Sequence, residues 1–334
     1  MNHSGTVFGP VAQAMGICLA GVLAASLSHA QNTWPDKPIH FVVPFTPGGG
    51  TDVVSRHLLE RLSTNTQWVF IIDNRAGASG NLGLDGVAKS KPDGYTLGMG
   101  QTSNMAINPA AMLKMPFDPQ TDLLPVALVA ELPTVLVVKA DSPYLSLGDV
   151  IKAASVKTVG AARISLALAG TGTVGHLAGE MLAKRAGLEF LNVPYKGATP
   201  AITDLLGGQT DCMFATPQAV MGLIAGGRLR VLASTSSKRV SSLQGVATVS
   251  ELGYSGFEAV DWKVVVAPAS TPPEVVRKLN AAVQKVLLDP AFIAQLAEEG
   301  SSPIGGEPAK VQAYIKAQQA AWAQSVKAAG LHFD

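Results

Sequence analysis

The sequence predicts an α/β fold built on doubly wound, parallel sheets. Three observations carry that expectation. From residue 39 almost to the C-terminus, short apolar runs rich in Val and Ile alternate with stretches whose apolar residues recur every three or four positions. Glycine-bearing loops follow several of the strand patterns and lead into the helical ones, which is the order of β–loop–α units. The 334 residues, 47% hydrophobic and only 15% charged, suffice for sizeable cores, suggest two domains and exclude a disordered chain.

Taken in order, residues 39–43 read as a buried strand ending at Pro44, and Val54, Leu58 and Leu62 mark the helix after it. A second strand covers 68–72, a loop 73–80, and a weakly periodic helix 81–89. A Pro/Gly turn beginning at Lys91 precedes a third strand over 95–99. Strands at 126–130 and 135–138 follow, and then the pattern restarts. A helix over 147–154 and a strand over 164–168 lead to the Gly/Thr-rich loop 169–176, then to a helix with Leu177, Met181 and Leu182 on one face. Strands 190–193, 210–214 and 229–234 enclose helices 200–206 and 218–225. The C-terminal part holds a strand over 264–268 and a helix over 272–288 opened by Pro272 and Pro273. A last helix runs over 308–329.

The chemistry concentrates in the loops. Gly48, Gly49 and Gly50 follow the first strand and precede a helix start, so main-chain N–H groups and the positive end of the helix dipole can face one point. The same residues also suit a plain β–α turn capped by Thr51 or Asp52. The spacing is neither that of a P-loop nor of a dinucleotide fingerprint. A second glycine-bearing loop, 73–80, lies after the neighbouring strand, where doubly wound sheets place ligands. The Thr171 and Thr173 hydroxyls suit a polar ligand or an N-cap, and His176 a packed or capping role.

Residues 1–30 stand apart. An apolar run over 11–27 is too short and too rich in Gly and Ala for a membrane span, and Ser28-His29-Ala30 supplies small residues at the −3 and −1 positions of a signal-peptidase site. Cleavage after Ala30 and export are expected, with an uncleaved anchor as the alternative because no Lys or Arg precedes Lys37. Removal of the signal leaves one cysteine, Cys212, read as a buried, inert thiol; no metal site is indicated. A formal net charge of +1 gives no electrostatic footprint for nucleic acid.

The segments Pro44-Phe-Thr-Pro-Gly-Gly-Gly-Thr-Asp52, Asp73-Asn-Arg-Ala-Gly-Ala-Ser-Gly80, Val193-Pro-Tyr-Lys-Gly197, Leu206-Gly-Gly-Gln-Thr-Asp211 and Ala267-Pro-Ala-Ser-Thr-Pro-Pro273 resemble the Bug family, the extracytoplasmic solute receptors of tripartite tricarboxylate transporters. The resemblance runs through essentially the whole chain after residue 30. It implies a periplasmic-binding-protein ("Venus flytrap") architecture with two crossing strands near Val135 and Val260. Domain one would comprise residues 31–130 and 258–334, and domain two residues 131–257.

It further implies a small carboxylate ligand (a di- or tricarboxylate, an amino acid or an aromatic acid), a membrane transporter or sensor as partner, a monomer, no cofactor and no catalysis. Ligand contacts would come from Phe45, Pro47, Gly48, Gly49, Gly50 and Thr51, and from Ala76, Gly77, Ala78, Ser79 and Gly80. Thr102, Ser103, Thr171, Gly172, Thr173 and Thr216 would complete the pocket. Arg75 is either a ligand partner or the ion-pair partner of Asp73. Departures from the family pattern are Asn192, Ala247 and the run Asp261-Trp-Lys263-Val264. Lys263 would add a charged donor for a second acid group or face solvent. A secreted hydrolase or lyase using His176, Asp211 or Cys212 is the competing class; no nucleophile elbow or paired acid/base set supports it.

Overall fold

The computed structural model describes residues 1–5, 34–155 and 163–332. The expected signal segment lies almost wholly outside the described residues. Residues 1–37 and 38–334 form separate units, and the second carries the whole of the fold below.

Among the described residues, eleven strands make two sheets. The first has the order β11-β4-β10-β3-β1-β2, from β1 (Ile39–Val43), β2 (Phe70–Asn74), β3 (Thr96–Gln101), β4 (Leu123–Pro133), β10 (Val260–Pro268) and β11 (Ser302–Gly305). The second has the order β7-β6-β8-β5-β9, from β5 (Val135–Lys139), β6 (Ser165–Leu168), β7 (Leu191–Pro194), β8 (Cys212–Ala215) and β9 (Leu229–Ser234). Strands β2, β1 and β3 are mutually parallel, as are β7, β6 and β8. Both sheets are completed by antiparallel strands, β10, β4 and β11 in the first and β5 and β9 in the second.

The helices are α1 (Gly50–Thr66), α2 (Asn81–Ala88), α3 (Asn108–Ala111, after a π-turn over Ser103–Ile107), α4 (Leu147–Ala154) and α5 (Val174–Ala186). They continue with α6 (Ala198–Leu206), α7 (Pro217–Ala225), α8 (Pro273–Leu287), α9 (Pro290–Glu298) and α10 (Pro308–Ala329). Helix α1 buries Val54, Leu58, Leu59 and Leu62, the stripe legible in the sequence; each such side chain contributes about 1.5–3 kcal/mol on burial. Helix α9 and strand β11 were not foreseen. Their nine and four residues are too short for a clear period, and β11 is specified by pairing with β4.

Sequence-adjacent strands join the two sheets. Strand β4 runs into β5 with only Thr134 between them. The return passes through Thr235 and Ala259. Thr235 N–H donates to Thr134 O at 2.9 Å, Thr134 N–H to Thr235 Oγ1 at 2.9 Å, and Ala259 N–H to Thr235 O at 2.9 Å. Helix α10 packs on β4, α3 and the π-turn, where Gln319 Nε2 donates to Met105 O at 2.7 Å. Its last turn reaches α5, whose Lys184 Nζ bonds Ala328 O.

Candidate functional site

The loops after β1, β2, β6 and β8 converge on the space between the two sheets, because parallel strands deliver their carboxyl ends to one edge. An inner cavity of about 50 Å³ and an outer one of about 430 Å³ lie there and share Phe45 and Ala169 as walls.

Three helix starts border the inner cavity: Gly49, Gly50 and Thr51 of α1, Thr173, Val174 and Gly175 of α5, and Thr216 at the N-cap of α7. Helical amides in a first turn have no carbonyl ahead of them in the helix, so those of α1 and α5 suit an anion, whereas α7 opens with Pro217, which has no N–H, and offers Thr216 alone. In α1 the first helical return bond is Val53 N–H to Gly49 O at 3.0 Å. The N-cap of α1 is Gly49, without a side-chain cap, rather than Thr51 or Asp52. Asp52 instead braces the loop from the helix's third position. It accepts from Gly48 N–H at 2.9 Å, Arg56 Nε at 2.8 Å and Asn74 Nδ2 at 2.9 Å. Burial pushes its carboxyl up, and these hydrogen bonds more than offset that, leaving it below the usual range.

The outer cavity is walled by Gly77, Ala78, Ser79 and Gly80 on one side and by Gly170, Thr171, Tyr195 and Lys196 on the other. Residues 77–80 all have positive φ, including Ala78 (46°) and Ser79 (53°). Two adjacent non-glycine residues held there store local strain of the kind that clusters at ligand clamps. Gly80 is required: an added Cβ would lie 2.9 Å from Phe45 Cε2 and against Asn104 Nδ2. That Asn104 nitrogen is itself a buried donor without a protein acceptor among the described residues.

Two hydrogen bonds link the loops of one sheet to those of the other, the first of them between walls of the outer cavity. Ser79 Oγ donates to Thr171 O, and Thr199 Oγ1 to Pro47 O at 2.7 Å. Gly172 N–H is taken by His176 Nδ1 at 3.1 Å, while Thr173 Oγ1 accepts from His176 N–H at 3.4 Å and caps α5. His176 thus packs and positions the loop; its burial pushes its pKa down, with nearby Glu180 opposing.

Of the sequence-predicted residues, Phe45, Gly49, Gly50, Thr51, Thr173 and Thr216 line the inner cavity, and Phe45, Gly77, Ala78, Ser79, Gly80 and Thr171 the outer one. Pro47, Gly48, Ala76, Thr102, Ser103 and Gly172 line neither. Thr102 ties β3 to β10, its Oγ1 accepting from Trp262 N–H at 2.9 Å, and Ser103 Oγ accepts from Gln101 Nε2 at 2.9 Å. Arg75 pairs with Asp73 at 2.7 Å, half-exposed and outside both cavities. Cys212 is fully buried, and burial followed by the charge of Asp211 pushes its thiol up, which disfavours the thiolate. Among the described residues no cluster of His, Cys, Asp and Glu suits a metal ion.

Gln101, Thr134, Ala169 and Asp261 were not foreseen as walls of the site, whereas Lys263, expected either to serve a ligand acid group or to face solvent, is a wall. The alternative that Lys263 faces solvent is overturned, since it is 1% exposed and its Nζ donates to Asp261 Oδ2 at 2.6 Å. A signal was present, because two opposite charges two residues apart in a Val-rich strand must share one face.

Two sheets joined by crossing strands, with glycine loops facing each other across the space between them, define a two-lobed binding protein. The chain belongs to the family described as "Tripartite tricarboxylate transporter family receptor", which it matches over residues 54–331. It is 35% identical to Protein BugT of Bordetella pertussis over 315 residues, 94% of this chain and 95% of the relative. Among solved structures it resembles the R. palustris protein Rpa4515 with adipate, with a TM-score of 0.86, 36% identity and coverage of 90% of this chain and 99% of that one. The periplasmic binding protein BugD is similar at a TM-score of 0.85 and 34% identity, with the same coverages.

Proposed function

We propose that this chain is an exported receptor that captures a small carboxylate between its two lobes and hands it to a tripartite tricarboxylate-type membrane transporter. The observation that carries this reading is the convergence of the helix starts of α1 and α5 on one cavity between the two sheets. Amides in those first turns are donors with no acceptor role, a set suited to an anion and able to bind one without an arginine. The adipate bound by the structurally similar R. palustris protein supports a carboxylate.

In this reading residues 31–130 with 258–334 form one lobe and 131–257 the other, and the crossings at Thr134 and at 235–259 are the hinge. The chain acts as a monomer in the periplasm after cleavage following Ala30, binds no nucleic acid and turns nothing over. Among the described residues no helix is long and apolar enough to cross a membrane.

The test is a thermal-shift and calorimetric screen of the chain from residue 31 against small carboxylic acids. A ligand bound only by the folded state raises the melting temperature with concentration. A saturable rise without product formation supports the receptor. Turnover of a bound compound, or no rise for any acid, overturns it.

A further inference from the structure

The inner cavity ends on an ion pair inside an otherwise apolar strand. Asp261 and Lys263 of β10 are 4% and 1% exposed. Lys263 Nζ donates to Asp261 Oδ2 at 2.6 Å and to Gln101 Oε1 at 2.8 Å. An ammonium has three N–H donors. Among the described residues the third has no protein acceptor, and Lys263 lines the cavity beside the first turn of α1.

Gln101 makes this pair the reference for both glycine loops. Its Oε1 also accepts from Thr51 Oγ1, and its Nε2 donates to Ser103 Oγ at 2.9 Å. Ser103 Oγ in turn reaches Ser79 O at 3.3 Å. A buried ion pair seldom stabilises a fold more than apolar residues of the same volume would. Its placement at a cavity wall with an unused donor therefore points to a ligand.

We propose that Lys263 is a specificity-determining residue that gives its third N–H to an anionic oxygen of the ligand, while Asp261 and Gln101 position it. The inference rests on the receptor reading and sharpens it. The end of the ligand that enters first is a carboxylate small enough for about 50 Å³, and the rest of an elongated molecule passes Phe45 into the outer chamber. An amide, alcohol or alkyl end offers Lys263 no charge and is discriminated against.

The experiment measures, by calorimetry, dissociation constants for straight-chain carboxylic acids from propionate to suberate and for the primary amide of each. Lys263→Met alone would strand Asp261 as a buried unpaired charge, so the variant used is Lys263→Met with Asp261→Asn. Asp261→Asn by itself is the second variant, which keeps the ammonium. The wild type should prefer acid to amide by at least about tenfold. The double variant should bring that ratio towards one, and Asp261→Asn should raise it. An acid-to-amide ratio that is the same in the wild type and in whichever variants fold makes the pair purely structural and overturns the inference, with the receptor reading intact. A wild type that binds none of the acids overturns both.

Discussion

Gly50 offers a direct probe of lobe closure. It is the first helical residue of α1, and its backbone carries no left-handed strain. A methyl group there costs its own lobe nothing, since alanine is the better helix former. The obstacle lies across the cleft. A Cβ on Gly50 would sit 3.0 Å from Thr216 Cβ and closer still to Thr216 Oγ1, against ordinary contacts of about 3.4–4 Å. Closed packing with one methyl too many costs about 1–3 kcal/mol. If closure is coupled to binding, Gly50→Ala should therefore weaken affinity by about 5- to 150-fold while leaving the unliganded melting temperature unchanged or slightly raised. Thr216→Gly removes both opposing atoms, at an N-cap whose hydroxyl makes no capping bond and where glycine is acceptable. Calorimetric titration of the wild type, both single variants and the double variant with a bound carboxylate gives the coupling energy. The double variant should bind like Thr216→Gly alone. Unaltered affinity in Gly50→Ala, or strictly additive losses, would refute the claim that these lobes meet at this contact in the liganded state.

Three further outcomes follow from the same geometry. Asp52→Ala removes the acceptor of three hydrogen bonds that hold the first glycine loop, so denaturant titration should show a loss of about 1–3 kcal/mol. Because the Asp52 carboxyl is held below its usual range, its stabilisation is present above the ordinary value of about 3.9 and is lost as pH falls through the lower folded one. His176 has its pKa lowered from 6.5, so the unfolded chain binds more protons below that value. The melting temperature should fall as pH drops below about 6.5, and His176→Gln should flatten that slope; a parallel slope in the variant would assign it to other groups. Cys212, fully buried in β8, should resist maleimide labelling in the native chain from residue 31 and react only on unfolding, as read by mass spectrometry.

How much of this was legible beforehand depends on the range of the signal. The strand–glycine–helix unit at 39–66 was readable because each part is local: a Val/Ile run, residues without Cβ, and an apolar stripe of period 3.6. The capping of α1 was misread, because Asp52 is equally suited to the N-cap and to the third helical position where it reaches Asn74 across β2. Strand β11 was missed because its pairing partner β4 lies more than a hundred residues earlier in the chain, and helix α9 because nine residues carry too little period.

The sequence by itself determined the alternation of strand and helix, the two facing sets of glycine loops and the family that these motifs mark. Tertiary structure alone decided which donors share a cavity. Thr51, Gln101 and Lys263 are far apart in the chain; Asp261, on the same strand, balances the charge of Lys263, but only the antiparallel pairing of β10 with β3 sets Gln101 opposite it as a second acceptor. Local propensity acts over a few residues, whereas burial, ion pairing and the meeting of Gly50 with Thr216 exist only once distant segments have packed.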